Sequence, residues 1–291
     1  MKNFEPGIGI HFTRDGLIVF DFTDWPDGSS VTIPAYTLKS DGKIPQPVTK
    51  AEDELIEKII NRSNAVNCFQ ACLASSLLTE ESVAHPLSHP INPANLKSCH
   101  HIREVLNVDD RNFTDRSILI NKKTLVHAEG LFNAFITDNT LRQLCALLYK
   151  AHWEFSQFNY TGATIEAWVV LEKIINALWD KYIATKKEQG VNINRNRKDK
   201  LTGADFSASI ISEILSLAGI IDNETYNTLN TVRQARNHWM HKLENITEKD
   251  AISALLLSCS MFSAVSEREF RLPLSKSMKI TTLSKRFCLK S

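Results

Sequence analysis

The sequence predicts a mainly α protein whose C-terminal half is a helical bundle, with a small β-containing region at its N-terminus (α+β overall). Three observations predict it. From Thr140 onward apolar residues recur at helical spacing almost without a break. Before Ser40 the apolar runs are instead short and set around turn residues. With 43% hydrophobic and 23% charged residues in 291 positions, the chain can bury a core without disulfide staples. Four segments follow: a β-rich region 1–48, a helical or mixed connecting region 49–138, the bundle 139–268 and a basic tail 269–291.

In the first segment Gly7-Ile8-Gly9-Ile10-His11-Phe12 and Leu17-Ile18-Val19-Phe20-Asp21-Phe22 flank Asp15-Gly16, which predicts a β-hairpin. Val31 to Leu38 would add a third strand, placed on an edge by Pro34. Ser40 to Val48 is a connector. Thr49-Lys50-Ala51-Glu52 resembles a capping box, and Leu55, Ile59, Ile60, Val66, Phe69 and Leu73 carry a helix to about Leu78. The proline-punctuated stretch His85 to Pro93 reads as a linker, and Asn95 to Leu106 as a short helix. Ser117–Ile120 and Thr124–Val126 read as short strands.

Five helices are expected in the bundle: Leu141–Phe158, Thr161–Tyr182, Asp205–Ala218 closed by Gly219, Asn223 to about His241, and one capped by Thr247-Glu248-Lys249-Asp250 and running to about Val265. Trp153, Trp168, Trp179 and Trp239 sit among aliphatics at helical intervals, so they read as core rather than as base-stacking platforms.

The N-terminus lacks the apolar core of a signal peptide. The longest near-apolar stretch, Ala251 to Val265, is too short to span a bilayer. Six cysteines form no dense disulfide framework. The expected setting is cytoplasmic, with no membrane partner. No Gly-rich phosphate loop with Lys-Ser/Thr and no Gly-x-Ser-x-Gly elbow occurs, which removes support for kinase, ATPase or esterase chemistry. No cofactor is expected. His85, His89, Cys99, His100 and His101 match no zinc module. Cys68 and Cys72 share one side of a helix, where thiols pack as small hydrophobes or meet a metal; no metal site is assigned to them.

The most informative run is Arg236-Asn237-His238-Trp239-Met240-His241. Arginine binds phosphate oxygens bidentately, and histidine gives or takes a proton near neutral pH. On a regular helix Leu229, Val232, Ala235, Trp239 and Leu243 form the apolar face, and Arg236 falls into it or on its border. Arg233, Asn237 and His241 form a stripe on another flank. Five residues of separation turn Arg236 and His241 apart by about 140°. Two resolutions stay open. The helix ends near His241, or a second copy of the chain completes the site.

An arginine followed by asparagine and, five positions on, by histidine at a helix end resembles the HEPN superfamily (higher eukaryotes and prokaryotes nucleotide-binding). The loop and capped apolar helix after it belong to the pattern, as does the upstream Trp-x-x-Leu-Glu at Trp168 to Glu172. The resemblance covers roughly residues 140–264. It implies a helical bundle, often a homodimer, and in many members a metal-independent endoribonuclease. In that chemistry a ribose 2′-OH attacks its own phosphate, leaving 2′,3′-cyclic phosphate and 5′-OH ends.

Carried over, His241 would be the general acid or base, Arg236 would stabilise the transition-state charge, and Asn237 would orient either the histidine or the phosphate. Arg233 and His238, with Arg195, Arg197 and Lys198 of the basic stretch 192–200, would bind the RNA substrate. Many bacterial members act in toxin–antitoxin or antiphage defence. The N-terminal region would then meet an antitoxin or sensor partner. Leu243 stands where one small toxin group carries a regulatory tyrosine, so that regulation is not expected. The alternative is a non-catalytic bundle that dimerises or docks a partner, with Arg236 paired to a helix carboxylate such as Glu166 or Glu172.

Overall fold

The computed structural model describes residues 2–4, 7–12, 18–25, 46–78, 85–90, 114–119, 122–203 and 206–274. Mainly α and α+β overall, it holds eight helices and two small antiparallel sheets among these residues. The order is β1 (Lys2–Phe4), β2 (Ile8–Phe12), β3 (Ile18–Asp21), α1 (Gln46–Ser76), β4 (His85–Pro90), β5 (Thr114–Leu119) and α2 (Lys122–Ile136). The bundle follows as α3 (Asn139–Ser156), α4 (Tyr160–Glu188), α5 (Arg195–Leu201), α6 (Ala208–Leu217), α7 (Asn223–Lys242) and α8 (Glu248–Ser266).

The hairpin expected near the N-terminus forms, with Phe12 opposite Ile18 and Gly9 opposite Asp21. Its Asp15-Gly16 turn and the strand expected at Val31–Leu38 lie outside the described residues. The third strand of the described sheet is β1, which pairs with β2 through a turn at Gly7. That glycine has φ +111°, and a Cβ there would come within 2.2 Å of the Asp24 carbonyl oxygen, so no other residue fits. Phe4, Ile8 and Ile10 bury the sheet against the helices. Phe69 of α1 and Phe132 of α2 meet edge to face at 5.4 Å, and Phe4 meets Phe132 in the same way at 5.2 Å.

The first helix begins at Gln46, so Thr49 lies within its opening turn rather than capping it. Pro47 is tolerated there because the first-turn N–H groups have no helical acceptor. Two short elements differ from expectation. Residues 85–90, read as linker, form β4 against β5. Pro86 and Pro90 have the same parity in that strand, so both backbone nitrogens face one edge, and a two-stranded ladder has an open edge to receive them. Thr124–Val126, read as strand, is helical. Thr124, Ala128, Leu131, Phe132 and Phe135 are all buried at helical spacing, and that period overrides the β propensity of threonine and valine. The helix expected at Asn95–Leu106 lies outside the described residues.

The bundle is organised around α4, which packs on α3, α6, α7 and α8. Its buried residues run from Ala163 to Ile183 and cover about 220° of its circumference. Small residues let α8 approach closely. The buried Ser258 hydroxyl contacts the carbonyl oxygens of Ala254 (2.7 Å) and, across the interface, Ala167 (3.2 Å). Part of the basic stretch 192–200 forms α5, with no buried residue, capped by Asn194. Trp179 of α4 holds its end by donating to the Leu201 carbonyl at 2.8 Å.

The segment expected to begin a basic tail docks on the core instead. Phe270 is 1% exposed and packs on Phe262 and Phe135. Its N–H donates to Ser263 Oγ, and the Arg271 N–H donates to Ser75 Oγ. His152 of α3 donates from Nε2 to the Pro273 carbonyl at 2.7 Å. Tail residues beyond Leu274 lie outside the described residues.

Phe270→Ala should cost about 3–5 kcal/mol in chemical denaturation, a loss no solvated tail would give. Burial depresses the His152 pKa below its ordinary 6.5, against the pull of the Pro273 carbonyl. The unfolded chain therefore takes up this proton first as pH falls. Stability from this group is intact above 6.5 and drops below it. The wild type should lose more stability between pH 7 and pH 5 than His152→Gln, measured by urea melts at both pH values.

Candidate functional site at the end of helix α7

Helix α7 is capped by Asp222, whose carboxylate accepts from the Thr225 N–H at 2.7 Å. Thr225, Leu229 and Val232 bury its inner face against the bundle. Arg236 points in the direction of those three residues, one turn on, and is half-buried. The apolar face expected to continue to Leu243 stops short. Trp239 is half-buried, and Leu243 is 77% exposed. Trp153, expected in the core, is also exposed, while Trp168 and Trp179 are buried.

The helix end is closely defined. Leu243 adopts the left-handed conformation (φ 54°), and its N–H donates to the Trp239 carbonyl at 2.9 Å. The capping box expected at Thr247 and Asp250 is present, with the Asp250 N–H donating to Thr247 Oγ1 and the Thr247 N–H to Asp250 Oδ2. Ile246 and Ala251, both buried, hold the two staple positions around that cap.

Within this frame the predicted residues have different fates. Arg236 Nη1 donates to Asn237 Oδ1 at 2.9 Å. It forms no ion pair with a described carboxylate: Glu166 bonds Lys150 instead, and no pairing joins Arg236 to Glu172. Arg233 donates twice to Asn230 Oδ1, at 2.7 and 3.2 Å. Asn230 donates to the Tyr226 hydroxyl at 3.0 Å, and that hydroxyl donates to Glu213 on α6. The carboxylate accepting its proton pushes the Tyr226 phenol above its usual range. This chain from Glu213 to Arg233 was missed in the sequence, although Tyr226, Asn230, Arg233 and Asn237 follow one helical stripe.

His238 pairs with Glu244 at 3.1 Å, and Lys242 reaches the other Glu244 oxygen at 3.8 Å. His238 and Glu244 line a shallow cleft of about 270 Å³ with Thr231, Gln234 and Asn245. That cleft lies on the side of α7 opposite Arg236. His241 is exposed and meets no described partner. Since α7 stays helical through Lys242, Arg236 and His241 do not converge within one chain.

Arg195, Arg197 and Lys198 are exposed on α5, and Arg197 donates to the Asn192 carbonyl at 2.9 Å. The α7 helix packs on α4, α6 and α8, and α5 is held to α4 through Trp179. The two basic groups thus stand on different helices, α5 and α7.

A second chemical cluster lies elsewhere. Cys68 and Cys72 of α1 meet Cys145 of α3, all fully buried. Burial pushes the Cys68 thiol up, but hydrogen bonds from Cys145 and Cys72 and the field of Arg142 prevail and bring it to about 5. Burial raises Cys72 and Cys145 well above the ordinary thiol value. The third cysteine is 73 positions beyond Cys72, so spacing gave no sign of it.

Searches of family models, of curated proteins and of solved structures find no match to this chain.

Leu243→Gly should stabilise the protein by about 1 kcal/mol, because the left-handed cap penalises a Cβ and an exposed leucine has little packing to lose. Thermal unfolding of the variant beside wild type measures it.

Proposed function

We propose that the chain is a HEPN-type endoribonuclease that cleaves RNA without a metal, with 2′-OH attack giving 2′,3′-cyclic phosphate and 5′-OH ends, in toxin or antiphage defence. One observation carries the reading. Arg236 is half-buried on the inner face of α7, bonded to Asn237 but to no described carboxylate, five residues before an exposed His241 that has no described partner. A half-buried guanidinium whose described partner is a neutral amide keeps donors free for an anion. A phosphate of the substrate is an anion of suitable geometry.

In the proposed mechanism His241 exchanges protons with the 2′-OH or the leaving 5′ oxygen. Arg236, steadied by Asn237, faces the non-bridging phosphate oxygens as charge builds on them. The 140° between the two side chains leads to a site shared by two copies, one giving Arg236 and the other His241. Arg195, Arg197 and Lys198, with Arg233 and His238, would contribute to backbone binding, which salt would weaken. The N-terminal sheet would receive an antitoxin or sensor partner. The same 140° favours a second reading, in which the bundle only dimerises or binds and cleaves nothing.

Incubating the protein with RNA in excess chelator tests both. Wild type should yield the stated ends, an all-deoxy substrate should be inert, and His241→Ala and Arg236→Ala should each lose about 10²–10⁴-fold in rate. Mixing the two inactive variants should restore cleavage, because a mixed dimer keeps one intact shared site. Cleavage that survives both substitutions would reject the mechanism. A wild type inert on every RNA offered would favour the binding reading.

A further inference from the structure

We infer that Cys68, Cys72 and Cys145 hold one thiophilic d¹⁰ metal ion, Zn(II) or Cu(I), which pins α1 to α3. The three sulfur atoms lie within 4.8 Å of one another. Three thiolates around an ion at about 2.3 Å sit about 4 Å apart. Small side-chain shifts would therefore close the set on a metal.

Two features separate this cluster from ordinary core thiols. The first is convergence. A cysteine packed as a small hydrophobe has no need of others of its kind. Yet three of the four described cysteines meet, from two helices, while Cys259 packs apart from them near the Leu272 backbone.

The second is Arg142, only 9% exposed and without an ion pair among the described residues. Its Nη1 donates to the Ile136 carbonyl at 3.0 Å, its Nη2 to Asn139 Oδ1 at 2.6 Å, and its face covers Trp25. Its buried Nε has no partner. Asp138 is close enough to act on it but already caps α3, and Cys68 is close enough to act on it once ionised as a metal ligand. A buried guanidinium is costly unless it is balanced. Three thiolates and one divalent ion carry a net single negative charge, which Arg142 would neutralise.

The surroundings also narrow the metal. Hard cations favour carboxylate-rich oxygen sets, and no carboxylate belongs to this cluster. An iron–sulfur cluster is ordinarily held by four protein ligands, one more than this cluster supplies. Charge balance with Arg142 favours Zn(II). The three-ligand set, with no fourth His, Cys, Asp or Glu among the described residues, favours Cu(I), the softer ion. In a site closed to water the ion would enter as the chain folds, so its binding would add to the stability of the α1–α3 contact.

The test uses the full chain, purified under reducing conditions and freed of metal. Zn(II), Cu(I) and Cd(II) are added separately without oxygen, and bound metal is counted after gel filtration. About one equivalent of Zn(II) or of Cu(I) should stay bound and raise the melting temperature, and the tighter of the two identifies the ion. Cys68→Ser, Cys72→Ser and Cys145→Ser should each weaken binding more than about 100-fold, and Cys259→Ser should not. Cd(II) titration of the wild type needs no substitution, so a variant that fails to fold leaves the test intact. Its sulfur-to-cadmium absorption should saturate at one equivalent. A folded wild type with no such band, stoichiometric binding that survives Cys145→Ser, or a Cys68–Cys145 disulfide as the stable form would each overturn the site.

Discussion

The burial of helix α4 is the constraint on which the other elements depend. A helix apolar over more than half its circumference must be covered on several sides at once. Helices α3 and α8 take the broadest share, and α6 and α7 close the remainder. Ala163 and Ala167 give it a flat stretch, and the bond from Ser258 to the Ala167 carbonyl fixes the close approach of α8 there. Once α8 is fixed, its capping box and Ile246 fix the loop, and the loop fixes where α7 stops. The surroundings of Arg236 thus follow from packing several turns away.

The same geometry explains why Arg236 is only half-buried. The inner face of α7 is sealed as far as Val232 and opens within one turn, and the helix itself ends at the left-handed Leu243. Arginine suits that border, since its aliphatic stem can pack while the guanidinium reaches outward. Arg233, three residues earlier, is held differently, by Asn230 in a chain that runs through Tyr226 to Glu213. Two arginines on adjacent turns thus differ in what they still have to bind.

Much of the bundle was legible in the sequence, because each helix carries its own period and its own caps. Thr247 and Asp250 announced α8, and Gly219, with φ +70°, marks the end of α6. The illegible parts share one cause: their structure is decided by residues far away in the chain. Thr124–Val126 looks extended until Phe132 and Phe135 supply a helical stripe that needs Phe69 and Phe262 to bury it. Phe270 looks like the start of a tail until Phe135 and Phe262 receive it. At the site, the sequence placed Arg236 on the inner face correctly. It could not show that His238 turns away to Glu244, because that contact depends on the path of the loop.

The two places with chemical potential stand on different interfaces of one core. The cysteine cluster belongs to the contact of α1 with α3, and the Arg236 region to the contacts of α7 with α4 and α8. They are joined through α4, which touches α3 on one side and α7 on another, and through α8, which packs on both α3 and α7. A change at the cysteines would alter how firmly α1, and the N-terminal sheet packed on Phe69, is held to the bundle. It would leave the cap at Leu243 and the contacts of Arg236 as they are, because none of these touches α1. Coupling between the two places therefore requires α4 or α8 to move, and both are buried along much of their length, which holds them in place.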